Sequence, residues 1–360
     1  MSGKRCRARE IGLIIGDFPA GPYNAITDVP GVKVGHCSLS SGEGKLRIGH
    51  GPVRTGVTAV LPAPDDLFMN KMQAGVHVIN GFGKSVGLMQ ISEVGTLETP
   101  LLITNTLNVG KVADGLLDYL IMDKGLNAPS INPVVCECND YFLNDIWGRH
   151  LGKPEVAQAL ENASDGPVEE GSVGAGLGTA AYGFKGGVGT SSRAIQFDNQ
   201  RYVLGALVVT NMGRKNQLSI RGVPVGKMLE QAEPPQQVGG SIIFILATDA
   251  PLSANQLRRL AGRATHGLAR TGASSNHTSG DIVIAFSTAR RIPAVSDHAV
   301  LELPELADFN FIDAFFIAAA DAIEESILNA MFMAETVVGR DGNTLHALPL
   351  ERVRELLSLG

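Results

Sequence analysis

Cysteine is scarce in this chain. Cys6, Cys37, Cys136 and Cys138 are the only four, and their spacing forms no framework. That excludes a disulfide-stapled scaffold and points to a reducing compartment, the cytoplasm. No long run of one charge sign occurs and the formal net charge is −6. A basic stripe is therefore missing, and nucleic acid is not an expected partner. No segment approaches the length of a membrane span. The basic opening, MSGKRCRAREIGLII, holds an apolar stretch too short for a secretory signal. No GxSxG elbow is present. The eight histidines are scattered, and none stands out as a triad base. A serine hydrolase built from this chain has to activate its nucleophile without histidine.

Glycine and apolar residues are plentiful. Forty-three glycines and 44% hydrophobic residues in 360 give a sizeable core with many tight turns. The length exceeds a typical domain, although large α/β layers form single units. Strand-like runs recur at 58–62, 100–104, 133–135, 202–210, 241–247 and 281–286. Helical spacing is present over 109–122. Ser253 followed by Gln256 reads as a capping box opening one helix, with Leu257, Leu260, Ala261, Ala264 and Leu268 on a single face. A polar surface helix and loop is expected over 155–167. A long apolar helix follows Asn310 and a short amphipathic one covers 350–357. Strands and helices interleave without strict alternation. The expected class is α/β, with stacked sheets inside and helices outside, in one catalytic domain spanning 1–360.

Several motifs resemble sites and fail on inspection. In GSVGAGLGTAAYGFKGGVGTSSR, residues 171–193, Gly176, Gly178 and Ala181 fit a loose dinucleotide pattern, with Asp198 where its acidic residue belongs. Glycines 183, 186 and 187 interrupt the helix that must follow, so a glycine-lined sheet edge or pocket floor is expected. GFGKS, residues 81–85, imitates the end of a phosphate loop, but Val78 stands where the first glycine is required. Cys136 and Cys138 lack a second ligand pair for zinc and read as buried structural residues. No metal or cofactor is expected.

The most informative junction is Gly240–Ser241. Residues 231–240 read QAEPPQQVGG, an exposed linker, and 241–247 read SIIFILA, a strand covered on both faces. Gly240 permits strained backbone angles, and the Ser241 hydroxyl is placed to attack its carbonyl. Scission there would free an amine with a pKa of about 7.7–8.0, able to serve as the base for its own hydroxyl. The same residues also fit a loop ending at an ordinary strand. Ser279 and Asp281, in HTSGDIVIAFST, fit a proton-orienting pair or a turn. Asn211, directly after the run YVLGALVVT, fits an oxyanion donor or a turn-former before Gly213. Glu137, in PVVCECND, fits a site for a substrate ammonium or a solvated glutamate.

Taken together, ITDVPGVKVGH (26–36), PVVCECND, GFKGGVGTSSR, RGVPVGK (221–227), GGSIIFILATDAPLS and ARTGASSNHTSGDIVIAFST resemble the L-aminopeptidase/D-esterase family, which includes the β-peptidyl aminopeptidases. The resemblance runs from about Ile26 to Thr288. It implies a four-layer αββα sandwich similar to N-terminal nucleophile hydrolases. It also implies self-cleavage into 1–240 and 241–360, which stay associated in a homo-oligomer, a tetramer. By motif it makes Ser241 the nucleophile, Asn211 the oxyanion donor, Ser279 and Asp281 its support, and Glu137 the binder of the substrate amine. Some members have an aromatic residue where this chain has the pocket residue Asn139, and some have glutamate in place of Asp281. The implied substrates are small peptides, amino-acid amides or esters. A related reading is an acyltransferase of the glutamate N-acetyltransferase type, whose nucleophile is typically threonine. Another is an uncleaved, inactive scaffold.

Overall fold

The structure is a computed structural model that describes residues 5–197, 199–229 and 240–359. Asp198 and residues 231–239 of the expected linker lie outside the described residues. In chain order, the strands of the two large sheets are β1 (Lys33–Ser41), β2 (Val53–Leu61), β3 (Asn70–Gly81), β4 (Thr96–Leu97), β5 (Leu101–Thr104), β6 (Val134–Glu137), β7 (Val188–Phe197), β8 (Gln200–Asn211), β9 (Ser241–Thr248) and β10 (Gly280–Pro293). The principal helices are α1 (Val109–Asp118), α2 (Lys153–Glu161), α3 (Ala254–Ala261), α4 (Ala264–Arg270) and α5 (Asp308–Phe332).

The smaller sheet has the order β1-β2-β5-β6, and the larger β4-β3-β10-β9-β8-β7. Among these strands β5–β6 and β9–β10 pair in parallel and the other ladders are antiparallel. The apolar run of β9 shows why the sheets stack. Ile243, Ile245 and Ala247 face the smaller sheet, where they join Val60, Ile103 and Cys136 in one core. Ile242, Phe244 and Leu246 face the other way and pack with Leu257, Leu268, Phe315 and Ile323 of the helices. A strand buried on both faces needs no polar alternation. On the outer face of the smaller sheet, Val57, Ala59 and Val135 pack against Val112 and Leu116 of α1 and Val156 and Leu160 of α2. The result is the expected four-layer αββα sandwich.

Local differences from the sequence reading have physical causes. The Ser253 capping box is present: Ser253 Oγ accepts from the Gln256 N–H and Gln256 Oε1 accepts from the Ser253 N–H. The single helix expected after it is two, α3 and α4, interrupted at Gly262, a poor helix former. Helical turns over 109–122 are α only to Asp118; Tyr119–Asp123 continues as a π-helix. The helix expected to be a polar surface element is α2, whose Val156, Ala159 and Leu160 are buried. The glycine-rich segment 171–193 runs into β7, the edge strand of the larger sheet, as expected.

Candidate active site

Register brings the site together. Ser241 opens β9, with Asn211 its antiparallel partner on β8 and Gly280 its parallel partner on β10. Partners across a ladder share a face, and residues two apart do too. Ser241 and Asn211 therefore sit on the inter-sheet face that carries Ile243 and Val209. The Asn211 side chain is buried, and its Oδ1 accepts from the Ala180 N–H at 3.1 Å. That bond fixes the amide orientation and leaves Nδ2 without a partner among the described residues.

The Gly240 carbonyl is held from two sides. Ser241 Oγ donates to it at 2.6 Å and the Gly280 N–H at 3.0 Å. The Gly280 N–H also lies 3.4 Å from Ser241 Oγ. Gly240 does not use the left-handed freedom open to glycine. Its small size matters instead: a Cβ would stand 3.1 Å from the Thr278 carbonyl oxygen.

Glu137, the last residue of β6, reaches this point from the smaller sheet. It is buried, and both carboxylate oxygens are engaged. Oε1 accepts from the Lys84 N–H at 3.1 Å, and Oε2 accepts from the Thr106 hydroxyl. Glu137 and Ser241 line one cavity of about 320 Å³ with Phe82, Lys84, Thr106, Asn139, Gly240 and Thr278. Asn139 is half-buried, and its Oδ1 caps a turn by accepting from the Tyr141 N–H at 2.9 Å.

Ser279 and Asp281 form a pair on the adjacent strand, with Ser279 Oγ donating to Asp281 Oδ1 at 2.5 Å. Asp281 is the ladder partner of Ile242, so it lies one residue along from Ser241 and on the opposite face. Burial raises its pKa, with the Ser279 hydroxyl, the Ser275 hydroxyl and the Ile242 N–H pulling the other way.

Sequence reasoning missed Phe82, Lys84, Thr106 and Thr278. The segment GFGKS had drawn notice as a failed phosphate loop, and its real place is the cavity wall. The loop is tied to β10 by the Phe82 N–H, which donates to the Ser279 carbonyl at 3.2 Å. Asn80 secures the facing turn by donating to the carbonyls of Asn276 and His277, each at 3.1 Å. Cys136 and Cys138 are buried as expected, and Cys138 Sγ donates to the Val209 carbonyl. Among the described residues no cluster of three or more His, Cys, Asp or Glu is arranged to hold a metal, and no helix is long and apolar enough to cross a membrane.

Residues 24–345 match the family described as Peptidase family S58. The chain belongs to peptidase family S58. It is 41% identical to β-peptidyl aminopeptidase BapA of Sphingosinicella microcystinivorans, over 98% of this chain and 91% of that one. The PH0078 protein from Pyrococcus horikoshii OT3 superposes with a TM-score of 0.93 at 47% identity, covering 98% of this chain and 99% of that one. The L-aminopeptidase D-Ala-esterase/amidase of Ochrobactrum anthropi, described as a prototype serine aminopeptidase and a variant of the Ntn hydrolase fold, superposes with a TM-score of 0.91 at 39% identity, over 98% of each chain. This S58 member is accordingly a hydrolase, a serine aminopeptidase with that fold.

Proposed function

We propose that this aminopeptidase makes its own nucleophile by cutting the Gly240–Ser241 bond, then releases N-terminal residues from small peptides, amides or esters. Ser241 Oγ adds to the Gly240 carbonyl carbon and the Gly240–Ser241 amide nitrogen leaves, giving an ester. The departing nitrogen takes up the hydroxyl proton and becomes the free Ser241 amine, and water then hydrolyses the ester, releasing the Gly240 carboxylate and restoring the Ser241 hydroxyl. The Gly280 N–H donating to the Gly240 carbonyl supports this step by drawing electron density from the carbon to be attacked, and the Ser241 hydroxyl, 2.6 Å from that carbonyl oxygen, lies beside the bond it would cut.

In the mature enzyme the Ser241 amine takes the proton of its own hydroxyl, with Ser279 and Asp281 orienting that amine. The hydroxyl then attacks the first carbonyl of the substrate. Asn211 Nδ2 donates to the oxyanion, and Glu137 pairs with the substrate ammonium. Asn139 borders the acyl side chain. The leaving amine or alcohol departs with a proton, and water hydrolyses the acyl-enzyme. No step calls for a metal or an organic cofactor. The enzyme works in the cytoplasm as a homo-oligomer, a tetramer; the four cysteines, all free thiols, agree with a reducing compartment.

One observation carries the reading: the hydroxyl at the Gly240–Ser241 junction shares a 320 Å³ cavity with a buried carboxylate, beside an amide with an uncommitted donor. The test is intact-mass analysis with N-terminal sequencing. Active protein is expected as two pieces, 1–240 and 241–360, the second beginning at Ser241. Ser241→Ala is expected to stay whole and inactive. Full activity from an uncut chain would overturn the proposal.

A further inference from the structure

The glycine-rich segment holds a group that the proposed reaction leaves unused. Lys185 has no exposed surface, and its Nζ donates to three carbonyls: Gly176 at 2.7 Å, Thr179 at 3.0 Å and Gly186 at 2.8 Å. An ammonium has three protons and no acceptor capacity, so the match is complete. Burial pushes the Lys185 pKa down to about 7, and the three carbonyls are the partners that hold the ammonium there.

The Thr179 carbonyl and the Ala180 N–H are two ends of one peptide group. Lys185 Nζ grips the carbonyl end, and the N–H end donates to Asn211 Oδ1 at 3.1 Å. The small hairpin around them is fixed as well. Ala180–Ala181 pairs with Phe184–Lys185, and the Tyr182 N–H donates to the Met212 carbonyl at 2.8 Å. A flipped Asn211 amide would set Nδ2 against the Ala180 N–H, donor against donor. The observed orientation leaves Nδ2 free on the strand position facing Ser241.

We propose that Lys185 is a positioning residue which, through the Thr179–Ala180 peptide, orients and polarises the Asn211 amide as an oxyanion donor. The proposal rests on the reading of Asn211 given above. Hydrogen bonds in series strengthen one another: a cation at the carbonyl end makes the N–H a better donor, and that in turn makes Nδ2 one. No proton or covalent bond moves along the chain of contacts.

A double-mutant cycle tests it, with kcat on an amino-acid p-nitroanilide corrected for the fraction of chains bearing a free Ser241 amine. Asn211→Ala is expected to lose about 10²–10³ in kcat. Lys185→Met, which keeps the stem and removes the charge, is expected to lose roughly tenfold in kcat with little change in KM, less than outright removal of the donor. Combined, the two should be no slower than Asn211→Ala alone, because the lysine acts only through the amide. The Asn211 side-chain amide proton resonance should also move upfield in Lys185→Met, cut or uncut. If Lys185→Met shows no cooperative melt, Lys185→Gln takes its place in both measurements. Equal losses from the lysine change in both backgrounds, or an unmoved Asn211 resonance, would overturn the lysine link alone. Wild-type kcat in Asn211→Ala would overturn the oxyanion reading and this proposal with it.

Discussion

Glu137 is a carboxylate committed on both oxygens before any substrate arrives. The Lys84 N–H and the Thr106 hydroxyl fix its plane at the cavity wall, so the proposed pairing with a substrate ammonium needs no reorganisation of the side chain. Glu137→Gln keeps the size and removes the charge. A hydrogen bond to a charged group is worth about 1.5–3 kcal/mol, so KM for free-amine substrates should rise roughly ten- to a hundredfold. Steady-state kinetics with kcat read separately check this, and an unchanged KM would take the amine away from Glu137. At this scale the sequence was partly legible. Ser241 stood out because composition changes abruptly across one peptide bond. Asn211 and Glu137 stood out because each closely follows an apolar run. Lys84 and Thr106 did not, because one contributes a backbone N–H and the other a hydroxyl, and only packing between distant segments gives either a role.

The loop after β3 passes close to β10 where Gly83 meets Gly280. A Cβ on Gly280 would stand 2.6 Å from Gly83 Cα and 3.3 Å from Ser241 Oγ. The first is a backbone atom that no rotamer change can move aside. Gly280→Ala should therefore push the 82–84 loop off β10, costing about 1–3 kcal/mol as overpacking does. It should also loosen the Lys84 contact to Glu137 and lower kcat/KM. A thermal melt and a rate measurement on one preparation decide the matter; wild-type values in both would mean the two backbones do not pass this closely. Element legibility followed burial. β8 and β9 showed as unbroken apolar runs because both faces are covered. β7 did not, since it buries Thr190, Ser191, Ser192 and Arg193 through hydrogen bonds and an ion pair rather than apolar contact. β1 and β3 mix exposed and buried residues without a clean alternation.

The four layers follow from strands that are apolar on both faces, which is why the architecture could be expected before the connectivity. The larger sheet adds something composition could not disclose. Its two parallel central strands, β9 and β10, both lie after the Gly240–Ser241 junction, while their outer neighbours β8 and β3 both lie before it. β8 and β9 are in register from Leu204↔Thr248 to Asn211↔Ser241, and β10 pairs with β3 along its other edge. Helix α5, also from the later part, packs its Phe315 and Ile323 in one core with Leu204 and Val208 of β8. Scission would thus free an amine without opening a seam, because the later piece is embedded in the earlier one on two strand edges and one helix face. Cut protein should elute as one species under native conditions and melt in a single cooperative transition, its pieces separating only in denaturant. Size-exclusion chromatography and calorimetry on fully processed material measure this. Pieces that part in native buffer would show that the two strand edges do not hold the sheet together.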